Sequence, residues 1–135
     1  MEEIKKSLPR KILVVDDNKD NRELVVKVLK SKGYEMVEAV DGEDALQKAQ
    51  EERPSLILMD ISLPKMDGYE VTRRLKMHEE CRNIPIIALT AHVMKGDKER
   101  AIEAGCVGYI PKPIDVHELP EQIKYYLKDQ LKGGD

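Results

Sequence analysis

Two uninterrupted apolar runs, each followed directly by aspartate, most constrain how this chain can fold. Ile12–Val15 precedes Asp16 and Asp17, and Leu56–Met59 precedes Asp60. Runs of four apolar residues are far too short to cross a membrane, but they suit the central strands of a parallel sheet, which are buried on both faces. The chain is therefore predicted to contain a parallel sheet whose central strands each end at an acidic residue.

Segments of helical periodicity alternate with the apolar runs, which is typical of repeated βα units and an α/β fold. We predict strands at Lys11–Val15, Tyr34–Ala39, Ser55–Met59, Ile86–Leu89 and around Tyr109 and Ile110. Helices are predicted at Lys19–Ser31, Glu43–Glu52, Tyr69–Met77 and Lys95–Ala104, with a last one reaching Leu131. The 135 residues suit one domain, placed at residues 11–131 between an N-terminal extension (1–10) and a tail (132–135).

The helices differ in how much apolar surface they offer to a core. The first is predicted to bury Leu24, Val25, Val28 and Leu29. The fourth is mostly charged and offers little beyond Ala101 and Ile102, so we expect it to be weakly anchored and suited to movement.

The start of the last helix has two interpretations. Asp115 with Glu118 can form a capping box, which leaves Pro120 past the first turn. Alternatively, the helix begins near Leu119, where Pro120 fits the first position. The sequence alone leaves this choice open.

Charge and composition argue against several classes of protein. The 23 basic and 26 acidic residues are interleaved, so no basic surface for direct nucleic-acid binding is expected. The N-terminus has no secretion signal, and we expect a cytoplasmic protein without membrane contact. Cys81 and Cys106 are interpreted as free buried thiols, and the isolated His78, His92 and His117 as structural or solvated side chains.

Polar residues follow four of the predicted strands. Asp16 and Asp17, Asp60, Thr90 and Lys112 come after strands one, three, four and five. Each alone has a structural explanation, such as a helix cap or a solvated loop side chain. Together at one sheet edge, however, three carboxylates would repel each other unless a cation compensates, and Mg²⁺ prefers such oxygen ligands.

This set of side chains suits phosphoryl transfer. An aspartate such as Asp60 can accept a phosphoryl group when positive charge neutralises the incoming oxygens. Lys112 supplies such a charge, and the Thr90 hydroxyl can donate to the transferred group.

Four segments in this order resemble the receiver domain of two-component response regulators, over about residues 11–131. They are Val14-Val15-Asp16-Asp17-Asn18, Leu58-Met59-Asp60-Ile61-Ser62-Leu63-Pro64 with Met66-Asp67-Gly68, Leu89-Thr90-Ala91, and Tyr109-Ile110-Pro111-Lys112-Pro113. The resemblance implies a flavodoxin-like, doubly wound parallel sheet of order 2-1-3-4-5 with helices on both faces. Residues 94–100 with Gly105-Cys106 resemble stand-alone receivers of the polar-differentiation type and receivers of hybrid histidine kinases.

The resemblance also implies roles at the metal site. Asp60 would be the phospho-acceptor and a metal ligand, and Asp17 a direct ligand of Mg²⁺. Asp16 would act largely through water, and Ser62 through its backbone carbonyl.

For the switch, the family implies that Thr90 bonds the phosphoryl group and moves toward it, while Tyr109 turns inward. Lys112 would pair with a phosphoryl oxygen, and the Lys112–Pro113 bond would be cis, against about 5–6% of X-Pro bonds in general. The surface formed by helix four, strand five and helix five would bind the partner.

The implied partners are a sensor histidine kinase or histidine phosphotransfer protein as donor and an effector protein downstream. The chain is expected to catalyse only its own phosphorylation and dephosphorylation. A monomer and a phosphorylation-dependent homodimer both remain open, as does a fragment of a longer regulator. The competing interpretations are a metal-dependent phosphohydrolase, which would need a second carboxylate in an Asp-x-Asp arrangement, and a scaffolding pseudo-receiver.

Overall fold

The structure, a computed structural model, describes residues 10–91 and 96–133. Its strands are Lys11–Val15 (β1), Glu35–Ala39 (β2), Leu56–Asp60 (β3), Ile86–Thr90 (β4) and Gly108–Pro111 (β5). Its helices are Lys19–Lys30 (α1), Gly42–Glu52 (α2), Gly68–Met77 (α3), Asp97–Ala104 (α4) and Leu119–Gly133 (α5). No helix within the described residues is both long and apolar enough to span a bilayer.

The strands pair in parallel in the order β2-β1-β3-β4-β5, which confirms the predicted fold class and strand order. The two apolar runs form β1 and β3, and every residue of β3 is buried. Because β1 and β3 lie in the middle of the sheet, the acidic residues that follow these runs meet at one edge.

Alternate strand residues pack into two separate cores, one on each face of the sheet. One core combines Leu13 and Val15 of β1 with side chains of α2, α3 and α4. The other combines Ile12 and Val14 of β1 with side chains of α1 and α5. This division follows from the two-residue period of a strand and places helices on both faces, as predicted.

Two predicted core residues are exposed. In α1, Val25 and Leu29 are buried, but Leu24 is 42% exposed because it lies beside the stripe that faces the sheet. In α4, Ala101 is buried as predicted, whereas Ile102 is 54% exposed. The second buried residue of α4 is Ala104, three positions after Ala101 and on the same side of the helix.

Capping aspartates explain why α2 and α3 start one residue earlier than predicted. Asp41 accepts a hydrogen bond from the Asp44 amide, and Asp67 accepts one from the Glu70 amide. The glycine after each aspartate therefore lies inside the helix.

The last helix begins near Leu119, the second of the two interpretations. Asp115 accepts hydrogen bonds from the amides of His117 and Glu118, but it caps the turn that leads into the helix rather than the helix itself. Pro120 lies in the first helical turn, where its missing N–H has no partner to lose. The predicted end at Leu131 is two residues short, within the usual variation of helix ends.

Several predictions fall on residues outside the described ranges. They concern most of the N-terminal extension (residues 1–9), His92, the start of the fourth helix at Lys95, and tail residues 134–135.

Candidate phosphoryl-acceptor site

The polar residues predicted to converge do lie at one edge of the sheet. Asp60 and Thr90 are the last residues of β3 and β4, rather than the first residues after those strands. Asp60 is paired in register with Leu89, and Thr90 with Pro111, so the strand ladder holds both backbones in place. Asp16 and Asp17 directly follow β1, and Lys112 directly follows β5.

Three carboxylates form a compact cluster at this edge. One oxygen from each of Asp16, Asp17 and Asp60 lies within 4.8 Å of the other two. Asp16 and Asp60 are only 1% and 2% exposed, whereas Asp17 faces solvent. A partly open cluster of carboxylate oxygens, without sulfur or imidazole, has the donor chemistry of a site for Mg²⁺ that also keeps water.

Lys112 brings a positive charge into contact with this cluster. Its ammonium lies 3.2 Å from Asp16 Oδ2 and 3.3 Å from Asp60 Oδ1, and its side chain is 17% exposed. The predicted cis peptide bond between Lys112 and Pro113 is confirmed. The lysine thus offsets part of the negative charge that burial makes costly.

Backbone amides hold the two buried carboxylates. The Asn18 amide donates to Asp16 Oδ1 at 2.9 Å, and the Ser62 amide donates to Asp60 Oδ1 at 3.1 Å. The second contact places Ser62 beside the cluster, where its carbonyl was predicted to bind metal. That ligand role stays a prediction.

Burial is the main influence on the acidity of Asp60. Loss of solvent raises the pKa of this carboxyl, and the neighbouring Asp16 carboxylate raises it further. The Ser62 amide and the Lys112 ammonium act in the opposite direction. The net effect is a raised pKa of the Asp60 carboxyl. A cation added at the cluster would favour the charged form of this carboxyl.

Thr90 and Tyr109, the predicted switch residues, lie on the strands nearest α4. Thr90 is 7% exposed, and its carbonyl accepts a hydrogen bond from the Lys112 amide at 2.7 Å. Tyr109 is partly buried against the core that contains α3 and α4, and it also lines a surface groove beside α4 and α5.

Sequence reasoning missed two residues that support the cluster. Arg22 of α1 donates to the Asp16 carbonyl, and Gly68 packs against the backbone of Asp60 and Ile61. Gly68 lay within a quoted motif but received no role. For Arg22 no local pattern was available, because its contact depends on how α1 packs beside β1.

The cysteines agree with their prediction. Cys81 and Cys106 are free and buried, and burial raises the pKa of both thiols. Among the histidines, His78 and His117 are exposed, and neither belongs to the acidic cluster.

The fold and this acidic cluster together define a doubly wound α/β domain with an aspartate at the centre of its ligand-binding edge. Residues 12–124 match the response regulator receiver domain family, and the chain belongs to that family. It is thus a signalling domain of the kind that the sequence motifs indicated.

Individual relatives agree with the resemblance to polar-differentiation regulators and to receivers of histidine kinases. The chain is 48% identical to the polar-differentiation response regulator DivK of Brucella anthropi, over 90% of this chain and 99% of that protein. The receiver domain of sensor histidine kinase PA1611 from Pseudomonas aeruginosa, described with magnesium coordinated in its active-site cleft, superposes with a TM-score of 0.82. It is 38% identical, with coverage of 89% of this chain and 98% of that one.

The chemotaxis protein CheY4 of Vibrio cholerae has the same fold. Its TM-score is 0.83 at 32% identity, with coverage of 87% of this chain and 98% of that one.

Proposed function

We propose that Asp60 accepts a phosphoryl group from a phosphohistidine of a sensor kinase or phosphotransfer protein, with Mg²⁺ at Asp16, Asp17, Asp60 and the Ser62 carbonyl. One observation carries this proposal: the buried Asp60 carboxylate lies within 4.8 Å of two further carboxylates and 3.3 Å from the Lys112 ammonium. The magnesium described for the PA1611 receiver supports the choice of metal.

In the proposed reaction, an Asp60 carboxylate oxygen bonds to phosphorus while the phosphorus–nitrogen bond of the donor breaks. The bonding pair leaves with the imidazole. The Ser62 amide and Lys112 both contact Asp60 Oδ1, so we expect Oδ2 to attack. When bound, Mg²⁺ supplies positive charge to the transferred oxygens, and Lys112 adds a second charge beside them.

The chain's own residues hold this geometry before the donor arrives. The backbone of Asp60 is held by the β3–β4 ladder, and that of Lys112 by the hydrogen bond that its N–H donates to the Thr90 carbonyl. Preorganised groups of this kind stabilise charge without further rearrangement.

Intact-mass measurement tests the acceptor directly. We expect one added phosphoryl group after incubation with Mg²⁺ and acetyl phosphate, and none with a chelator or in Asp60→Asn. Asp67→Asn is the matched control, because it makes the same chemical change at an exposed cap in the following loop. Phosphorylation of Asp60→Asn would contradict the proposal, and turnover of external phosphoesters would favour a phosphohydrolase.

The proposed output surface is formed by α4, β5 and α5. A groove of about 550 Å³ lies there, with Ile102, Val107, Tyr109, Tyr125 and Tyr126 among its lining residues. Its exposed apolar side chains suit an effector protein better than solvent. We propose that Thr90 and Tyr109 connect the phosphorylated site to this groove.

Hydrogen bonds to the phosphoryl group can supply the free energy that a two-state switch needs. Moving an equilibrium from 1:99 to 99:1 takes about 5.5 kcal/mol, and each hydrogen bond to a charged group contributes roughly 1.5–3 kcal/mol. About two to four new contacts of this kind, including those from Thr90 and Lys112, therefore suffice. The element to move is α4, which is anchored mainly by Ala101, Ala104 and the Arg100 guanidinium over the Tyr69 ring.

Hydrogen exchange tests this movement. We expect phosphorylation to change amide exchange in residues 97–109, which span α4 and the start of β5. Exchange in α1, which is anchored by Val25 and Leu29, should stay the same. Unchanged exchange across residues 97–109 in a fully phosphorylated sample would rule out α4 as the moving element.

A further inference from the structure

Arg22 connects α1, β1 and β2 next to the acidic cluster. Its Nη1 donates to the backbone carbonyl of Asp16 at 2.9 Å, and its Nε donates to Glu38 Oε1 at 3.1 Å. The Arg22 side chain is only 13% exposed, whereas Glu38 is 44% exposed. The guanidinium is therefore held in one orientation between a side chain of β2 and the peptide after β1.

The hydrogen bond from Arg22 to the Asp16 carbonyl completes the set of contacts that hold Asp16 in place. The Asp16 amide donates to the Ala39 carbonyl at 3.1 Å. Its two carboxylate oxygens accept from the Asn18 amide and from Lys112. With Arg22 on the carbonyl, each polar group of Asp16 has a protein partner, and the peptide plane that leads into Asp17 is fixed.

We propose that Arg22 is a positioning residue for the metal site, acting through the Asp16–Asp17 peptide. This inference rests on the magnesium site in the proposed function. The orientation of that peptide determines where the Asp17 side chain starts, and Asp17 is the exposed member of the cluster. Residues that orient metal ligands typically change metal affinity by 10–100-fold when they are replaced.

The positive charge of Arg22 predicts the opposite change in Mg²⁺ affinity. The sign of that change on removing Arg22 therefore separates the charge effect from the positioning effect. Arg22 carries a positive charge close to a site for a divalent cation. By charge alone, its removal would strengthen Mg²⁺ binding. By positioning, its removal weakens binding, since the peptide before Asp17 loses its only side-chain donor among the described contacts.

The test is a titration of the ¹⁵N-labelled full chain with MgCl₂, followed by amide NMR shifts, for wild type, Arg22→Gln and Arg22→Lys. We expect about 10-fold weaker binding in Arg22→Gln. Arg22→Lys keeps the charge but loses the planar fork that reaches both partners, so we expect it to bind Mg²⁺ more weakly than wild type too.

Arg73→Gln is the control, because it makes the same change in charge on α3, where the described contacts pair Arg73 with Glu70, whose side chain is 40% exposed. Its Mg²⁺ affinity should equal that of wild type. Unfolding by urea without metal shows whether each variant is folded. If Arg22→Gln does not fold, the Mg²⁺ affinity of Arg22→Lys decides whether Arg22 positions the metal site.

The outcomes are distinct. Equal or tighter binding by the folded Arg22 variants overturns the positioning role while the magnesium site stands. A loss of folding stability without a change in affinity also overturns it, since that result assigns Arg22 a structural role alone. If wild type itself binds no Mg²⁺, the proposed metal site fails and the role of Arg22 fails with it.

Discussion

Lys112→Met is expected to destabilise the metal-free protein by about 3–5 kcal/mol, a large share of the 5–15 kcal/mol that holds a typical domain folded. Asp16 and Asp60 are 2% and 3% exposed in their side chains, and Lys112 contacts both. Its removal leaves two buried carboxylates beside each other without a cation. Protonation of Asp60, whose pKa is already raised, would relieve only part of this repulsion.

Urea unfolding in the presence of a chelator measures this effect. We expect saturating Mg²⁺ to stabilise Lys112→Met more than wild type, because the metal replaces the missing charge at the cluster. Phosphorylation by acetyl phosphate should also slow strongly in the variant. Lys128→Met, at an exposed position of α5, is the control and should change stability by less than about 0.5 kcal/mol.

A Lys112→Met protein as stable as wild type without metal would show that the lysine does not compensate the acidic cluster. Lys112→Arg keeps the charge and should retain most of the stability, which separates loss of charge from loss of packing.

Gly68→Ala is expected to cost about 3 kcal/mol and to impair phosphorylation of Asp60. A Cβ at Gly68 would collide with the carbonyl oxygen of Asp60 and lie 2.9 Å from Ile61 Cα. Both obstacles are backbone atoms at the end of β3, so they can yield only if the acceptor strand shifts. The Gly68 amide also donates to the Ile61 carbonyl at 3.0 Å, which holds the start of α3 against the loop after β3.

Gly42→Ala is a matched control for this prediction. Gly42 is also the first residue of a helix after a capping aspartate, but its nearest obstacles are side-chain atoms of Val71 and Met66. Side-chain atoms can shift without moving the acceptor strand, so we expect a smaller cost than for Gly68→Ala, about 1–2 kcal/mol. Urea unfolding and intact mass after acetyl phosphate compare the two variants. Equal losses of stability and of phosphorylation in both variants would show that the contact between Gly68 and Asp60 has no special effect.

The sheet was predictable because its signals are local. The apolar runs of β1 and β3 identify central strands, and the residues that follow them identify the ligand-binding edge. The cis Lys112–Pro113 bond, in contrast, followed only from the family resemblance, since local chemistry favours trans.

Errors arose where tertiary packing decides the outcome. Leu24 and Ile102 have the spacing of core residues, but the direction in which each helix meets the sheet leaves both exposed. The support of Asp16 by Arg22 joins residues from two elements, and no periodicity in the sequence encodes that contact. The chemical roles assigned to the residues of the cluster, Ser62 and Thr90 included, stay predictions.

The two buried alanines of α4 have a consequence for how such a domain can diversify. A helix held by small side chains exposes nearly all of its larger ones, and Ile102 together with neighbouring Val107 and Tyr125 lies on the surface. Substitutions at such positions usually change stability by less than about 0.5 kcal/mol. The acidic cluster, in contrast, is built at the carboxyl ends of buried strands. Duplicated copies of this gene could therefore acquire new binding specificities while the proposed acceptor chemistry stays the same.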